Sequence, residues 1–251
     1  MMFTNSILSV GVLLSASGSA SAAIVAAWDF QTTANGGTAA VMAPSFGITN
    51  TTPKLYAANF GSGTLYLDGS NFSSNFSVPP SGSTGAEING FAGTTVNADT
   101  SIGMSTVTAG DAALAVAGSG ANGKSMVFRF SMTGLAGLSI SYATQRSGTG
   151  FTSQVLQYSV DGSSWSAIGT HSSIQSDYGA TAPGVTATSF SGITGLDGAA
   201  VAYLRITLSG ATSSSGSNRF DNVILSATAI PGPGVLALLG LAGRARRRRA
   251  R

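Results

Sequence analysis

The chain has 251 residues, no cysteine, one histidine and 34 glycines, and only 8% of its residues are charged, against about 25% in an ordinary soluble domain. Six of the 12 basic residues crowd into the last eight positions, so the body sets six basic against nine acidic residues, a net of −3. A disulfide scaffold, a thiolate metal site and the clustered positive face that nucleic acid requires are thereby excluded.

The first residues carry an apolar stretch, Ile7 to Leu14, followed by "SASGSASAA". No Lys or Arg precedes the apolar stretch, so the amino terminus alone supplies positive charge there. Ala20-Ser21-Ala22, and Ser21-Ala22-Ala23 one step later, fit the small-x-small pattern of signal cleavage. Residues 1–22 are expected to form a signal helix that is cut at Ala22 or Ala23.

Residues 23–229 read as one domain. Gly, Ser and Thr at this density suit short strands joined by turns and serve helices poorly. Strands are predicted over "IVAAWDF" (24–30), "TLYLD" (64–68), "AALAVAG" (112–118), "KSMVFRFSM" (124–132), "LSISYATQR" (138–146), "AAVAYLRITLSG" (199–210) and "NRFDNVILSAT" (218–228). In 124–132 the alternation sends Met126, Phe128, Phe130 and Met132 to one side and Val127, Arg129 and Ser131 to the other. "SQVLQYSVDGSSWSAI" (153–168) predicts a hairpin. Leu156, Tyr158 and Val160 share a face in it, Asp161-Gly162 marks the turn and Trp165 begins the return. The stretch 69–95 is expected to be a long polar loop. The fold class is therefore all-β: an antiparallel two-sheet sandwich.

Chemistry is sparse. There is no nucleophile elbow and no H-E-x-x-H. Gly118 to Gly123, "GSGANG", matches G-x-G-x-x-G, but it lies between two strands with no helix to follow, and reads as a hairpin loop. His171 has Asp177 and many serines nearby and reads as a surface-loop histidine. Glu87 is the only glutamate, and Asp68 and Asp161 sit in Asp-Gly turns, which leaves poor material for a glycosidase. Asp29 and Asp221 lie in the first and last predicted strands. They can ligate a structural Ca²⁺, or Asp221 can be bonded by the backbone or paired with Arg219 or Arg205. Asp221 alternates with Val223 and Leu225, which points it inward. Trp165 and Tyr178 are the candidates for stacking on sugar rings, and Trp28, beside Phe30, is expected in the core.

The chain ends in Pro231-Gly232-Pro233, an apolar run "GVLALLGLA", and Arg244, Arg246, Arg247, Arg248, Arg249 and Arg251. The prolines bar a helix from starting before Gly234. A short apolar helix capped by arginines reads as a membrane stop with its basic end in the cytoplasm. The 14 residues from Ile230 to Gly243 fall short of the ~20 that a span needs, which favours a transient, processed segment over a permanent anchor.

This order of elements over 230–251 resembles the PEP-CTERM sorting signal of exported bacterial proteins, with Gly232 where the family pattern has Glu. The resemblance implies transient inner-membrane association and cleavage by an exosortase. The closing strands, "YSVDGSSWSAI", "VAYLRITLSG" and "NRFDNVILSA", resemble jelly-roll modules such as carbohydrate-binding and MAM-like domains. Together these readings describe an exported, non-enzymatic protein of the envelope, cell surface or extracellular matrix, with exosortase and envelope polysaccharide as partners and no cofactor beyond a possible structural Ca²⁺. The alternative is a carbohydrate-binding module, and a hydrolase is the third reading. The intact mass of protein recovered from envelope and medium of the native host is expected to lack both ends, near Ala22 and near Pro231. A full-length mass in the cytoplasm would refute the sorting signal.

Overall fold

In a computed structural model of the chain, the described residues are 22–31, 54–77, 87–104, 112–175 and 186–230. They form thirteen strands: β1 Ala22–Trp28, β2 Leu55–Ala57, β3 Phe60–Gly61, β4 Gly63–Tyr66, β5 Ile88–Ala92, β6 Ala112–Ala117, β7 Ser125–Phe130, β8 Leu135–Arg146, β9 Ser153–Ser159, β10 Ser166–His171, β11 Thr186–Ile193, β12 Ala202–Ser209 and β13 Ser217–Ala229. Their pairings are antiparallel and fall into two sheets. One has six strands in the order β10-β9-β12-β7-β4-β2. The other has seven, with the path β11-β8-β13-β1-β3, β6 also pairing β13, and β5 pairing β6. The predicted two-sheet sandwich is the observed architecture. The predicted signal helix, apart from Ala22, which begins β1, and the predicted C-terminal helix fall on residues outside those described. Among the described residues no helix is long and apolar enough to cross a membrane.

Strand β13 organises the larger sheet. It pairs β8 along one edge, while its other edge is shared by β6 (Ser217–Phe220) and β1 (Val223–Thr228). The change of partner coincides with a register shift at Asp221 to Ile224, where Asn222 adopts φ 46°. A non-glycine residue in the left-handed region is uncommon, and Asn tolerates it best. The bulge reverses the side-chain parity. Phe220 lies in the core before it, and Val223, Leu225 and Ala227 lie in the core after it. Asp221 therefore does not share the face of Val223 and Leu225, as simple alternation had it. It points to the outer side, where it is nonetheless buried.

Period-two patterning explains the core. Met126, Phe128, Phe130 and Met132 all enter it, with Leu65, Leu156, Leu204 and Ile206 from the same sheet and Trp28, Leu114, Ile140 and Tyr142 from the other. Trp28 is fully buried, its ring centroid 4.9 Å from that of Phe128 in an edge arrangement, and its Nε1–H donates to the Tyr56 carbonyl at 3.0 Å. A polar relay also crosses the sandwich. The Tyr142 hydroxyl donates to Gln154 Oε1 (2.8 Å), and Gln154 Nε2 donates to Thr144 Oγ1 (2.9 Å). That hydroxyl in turn donates to the Arg219 carbonyl, so these buried groups satisfy one another.

Two strands lie where the sequence carries weak periodicity at sheet edges: β2 and β11. Two more, β3 and β5, are short or interrupted by glycine. Strand β5 falls inside 69–95, so that stretch is not a loop throughout. Strand β3 approaches β1 so closely that a Cβ on Gly61 (φ +71°) would sit 2.4 Å from the Val25 carbonyl oxygen. The 153–168 hairpin forms, but Val160 leaves the strand face and is exposed.

His171 is not a surface-loop residue. It ends β10, is buried, and its Nδ1 lies 2.8 Å from Thr188 Oγ1 of β11, in the opposite sheet. Phe190 of β11 also lies against Gly169 of β10, so these two edges close one side of the sandwich. Burial pulls the His171 pKa below its ordinary value. The unfolded chain then binds more protons than the native state as pH falls through about 6.5. Stability is expected to be full near pH 7.5 and to decline toward pH 5.5, above the carboxylate range. Denaturant midpoints measured across this window should show the decline in the native chain and lose it in His171→Gln.

Candidate functional site

The outer face of the six-stranded sheet collects the side chains left over when the core is filled. Leu65, Phe128, Leu204 and Leu156 point inward, so their neighbours Tyr66, Arg129, Tyr203, Arg205 and Gln157 point outward. The register aligns Thr64, Arg129, Tyr203 and Ser159 in one row and Tyr66, Val127, Arg205 and Gln157 in the next. Arg129 is exposed, and the hydroxyls of Tyr203 and Tyr66 beside its guanidinium hold its pKa above the ordinary value. Beyond Arg129 opens a cleft of about 220 Å³, lined also by Ser62, Thr64, Ser131 and Val201.

Two loops complete the face. The β9–β10 turn is fastened by Asp161, whose Oδ1 accepts from the Ser163 and Ser164 amides, both at 2.8 Å, and from the Ser159 hydroxyl at 2.9 Å. These donors hold the Asp161 carboxyl far below the usual range. The turn presents Trp165, half-buried. Its Nε1–H donates to the Gly162 carbonyl at 3.0 Å, and the Arg205 guanidinium lies 4.1 Å from its ring centroid. Arg205 also donates through Nε to Gln157 Oε1 at 2.8 Å. The second loop runs from Asp68 to Ser77. Lys54 fixes its far end, donating to Asn75 Oδ1 and the Phe76 carbonyl, both at 2.5 Å. Lys124 bonds Glu87 Oε2 (2.5 Å), which also accepts from the Ser77 amide (2.6 Å). Against the desolvation that would raise it, these donors keep Glu87 ionised below its usual range. The tip of the loop is Phe72, 50% exposed, its ring edge-on to Tyr203 at 5.3 Å. It lies so close over the 160–165 turn that a Cβ on Gly162 (φ +72°) would sit 1.9 Å from the ring. Val127 faces the same way yet is fully buried.

Phe72, Tyr203, Trp165 and Tyr66 thus form a patch of aromatic surface held at fixed spacing and interleaved with two guanidiniums and an amide. Of the residues that the sequence marked for stacking, Trp165 belongs to this patch, with one ring face covered by Arg205. Tyr178 lies outside the described residues, as do Asp177, Pro231, Gly232, Pro233 and the arginines of the tail. Ala22 and Ala23 begin β1, exposed and paired with Thr228 and Ala227. Tyr203 and Arg205 were not marked for this face by the sequence; the period of two along 202–209 is the signal that could have found them. Phe72 had no such signal, because a turn places it.

Asp29 and Asp221 flank the meeting of β1 and β13. Asp221 Oδ2 accepts from the Thr94 amide and Oδ1 from the Asn222 amide, both at 2.8 Å. Asp29 Oδ1 accepts from the Gln31 amide, and its own amide donates to Asn59 Oδ1. Arg205 is no partner for Asp221, since it lies on the other sheet, and Arg219 lies 4.6 Å from the Phe91 ring centroid and reaches the Ala92 carbonyl. Among the described residues no group of three His, Cys, Asp or Glu side chains could hold a metal. The remaining described carboxylates follow the same habit. Asp68 accepts from the Ser70 amide, Asp99 from Ser101 and Asp197 from Gly137. All seven described acids, Asp29, Asp68, Glu87, Asp99, Asp161, Asp197 and Asp221, are bonded to backbone N–H groups.

No family model matches the chain, and no curated protein matches it. Similar folds occur among solved structures. A carbohydrate-binding module solved with β-1,4-galactotriose matches at 10% identity and a TM-score of 0.31, over 55% of this chain and 81% of that one. An adhesin domain of Lys-gingipain from Porphyromonas gingivalis matches at 13% identity and 0.32, over 49% and 78%. The Stig cyclase Fisc from Fischerella sp. TAU matches at 13% identity and 0.35, over 76% and 100%. These three differ in what they do, and likeness of this degree transfers no ligand or reaction.

Backbone bonding of Asp221 makes a stability prediction. Asp221→Ala removes two charge-assisted bonds and is expected to cost about 1.5–3 kcal/mol. The melting temperature of the native chain should be the same in EDTA as in excess calcium; a calcium-dependent rise that Asp221→Ala abolishes would restore the metal reading.

Proposed function

We propose that the chain is an exported, non-catalytic polysaccharide-binding protein that engages glycan through the outer face of its six-stranded sheet. The single observation that supports this most is the aromatic patch of Phe72, Tyr203, Trp165 and Tyr66, rigidly mounted and interleaved with Arg129, Arg205 and Gln157. Sugar rings present apolar C–H faces and a rim of hydroxyls. Aromatic rings cover the first, and planar donors and acceptors such as guanidinium and amide bond the second. Fixing the rings beforehand lowers the ordering cost of binding. The non-catalytic part of the proposal is supported by the carboxylates. Each described one is already engaged with backbone, whereas glycoside hydrolysis needs a pair converging on a cleft.

Export and sorting complete the proposal. Residues 1–22 carry the chain into the secretory route, and 230–251 act as the PEP-CTERM-like signal processed by an exosortase. On this reading the mature sandwich works at the cell surface or in the extracellular matrix.

Native affinity electrophoresis of the full-length chain tests the binding. Gels containing soluble polysaccharides are expected to retard it relative to plain gels. Phe72→Ala and Tyr203→Ala should each weaken retardation about threefold to tenfold with unchanged circular dichroism. Equal mobility in every polysaccharide gel would refute the reading.

A further inference from the structure

We infer that the glycan recognised on this face is an anionic one, a polymer bearing uronate carboxylates or sulfates. The inference rests on the polysaccharide-binding reading and narrows it. It follows from where the body keeps its free positive charge.

The body is mildly acidic, with six basic residues against nine acidic. A protein of that balance has no general attraction for polyanions. Its basic residues, however, are unevenly employed. Lys54 is buried and bonds Asn75 and the Phe76 carbonyl, and Lys124 bonds Glu87. Arg146 is tied to the carbonyls of Ile174, Ser147 and Gly148, and Arg219 reaches the Ala92 carbonyl over the Phe91 ring. Arg129 and Arg205 remain, and both stand on the outer face of the six-stranded sheet. Among the described residues neither is paired with a carboxylate. The acid nearest this face in sequence, Asp161, is folded into its own turn and held by Ser163 and Ser164.

The two guanidiniums are also placed for the task. Arg129 is opposite Tyr203 in the register, so Arg205 is its diagonal neighbour on β12. Diagonal positions lie about 7–8 Å apart, a separation that two charges on one polymer chain can match. Arg205 is braced by Gln157 at Nε and by the Trp165 ring below its guanidinium, and neither contact occupies its terminal nitrogens. Arg129 stands at the cleft with the hydroxyl side chains of Thr64 and Ser131 among its walls. A guanidinium flanked by hydroxyls is a fitting receptor for a carboxylate or sulfate, because its planar fork donates two parallel bonds to such a group. The aromatic rings beside them take the apolar faces of the sugars. A neutral glycan could use the rings and offer hydroxyls to the guanidiniums, but it would bring neither charge a counter-ion and would forgo the stronger charge-assisted bonds.

The experiment compares polygalacturonate with its fully methyl-esterified form, which keeps the same sugar backbone and removes the charge, and with a neutral β-glucan. The full-length chain is run in affinity gels of each, at about 0.05 M and about 0.5 M salt, across which screening of exposed charges becomes severe. The expected result is retardation by polygalacturonate at least about tenfold stronger than by the ester, sharply reduced at the higher salt. Arg129→Gln and Arg205→Gln should each reduce it about tenfold, the loss of one charge-assisted bond. Arg205→Lys retains the charge and should fall between, which separates lost charge from lost stacking against Trp165. Melting curves identify any variant that fails to fold. Retardation that is equal for the acid, its ester and the neutral glucan, and insensitive to salt, overturns the anionic inference and leaves glycan binding standing. Retardation by none of the three, extended to a sulfated galactan, overturns both.

Discussion

The conformation of one residue, Asn222, fixes much of this sandwich. Its left-handed backbone puts a bulge into the longest strand, and that bulge lets β13 change partners partway along its edge. With a regular β13, either Phe220 or Val223, Leu225 and Ala227 would turn away from the core. The bulge also turns Asp221 outward, where its carboxylate gathers the amides of Thr94 and Asn222. Asn222 Nδ2 donates in turn to the carbonyls of Thr94 and Val96, and Asn97 donates back to the Asn222 carbonyl. The segment from 93 to 104 is thereby strapped across the outside of the larger sheet. Ile102 and Ala98 in that strap pack toward a second, small apolar cluster of Ala27, Met104 and Ile224. One residue outside the usual backbone range thus positions three strands and a strap.

The scarcity of charge has a structural counterpart. With few ionic side chains and many glycines, serines and threonines, the chain must anchor long turns without disulfides. It does so with short polar side chains that fold back on the main chain. A carboxylate accepting backbone amides is a strong local clasp, and the seven described acids repeat that arrangement from Asp29 to Asp221. The consequence is an asymmetry between the two signs of charge. Acids are drawn into the scaffold, while two arginines are left facing solvent on one sheet. The character of the exposed face follows from how the turns are built.

Much of this was legible in the sequence, and the exceptions are instructive. The alternation in 124–132 placed core and outer residues correctly because a regular strand has a strict period of two. The same rule failed at Asp221, since a bulge adds one residue without any change in composition to announce it. It failed at His171 for another reason: polar neighbours in sequence suggested water, while its neighbours in space are a strand of the opposite sheet. The Asp-Gly signal located the β9–β10 turn, and Trp165 came with it. Phe72 was invisible as a surface residue, because nothing local distinguishes an aromatic in a loop that will be laid across a sheet from one that will be buried under it. The strands β2, β3, β5 and β11 are short, glycine-broken or rich in small polar residues, and their extended form owes more to a neighbour's free edge than to their own propensity.

The first and last strands are direct neighbours, with Ala22 opposite Thr228. Both ends of the sandwich therefore leave from the same pole, and this sets how the fold meets mechanical load. Tension between the two ends would part β1 from β13 rung by rung, in the weak unzipping direction. Tension between a tether beyond Ala229 and a polymer gripped on the opposite sheet acts differently. It draws β13 lengthwise between β8 and β1, so that the bonds on both its edges must fail together. A sandwich held by its last strand and loaded through its far face would resist in shear rather than by unzipping.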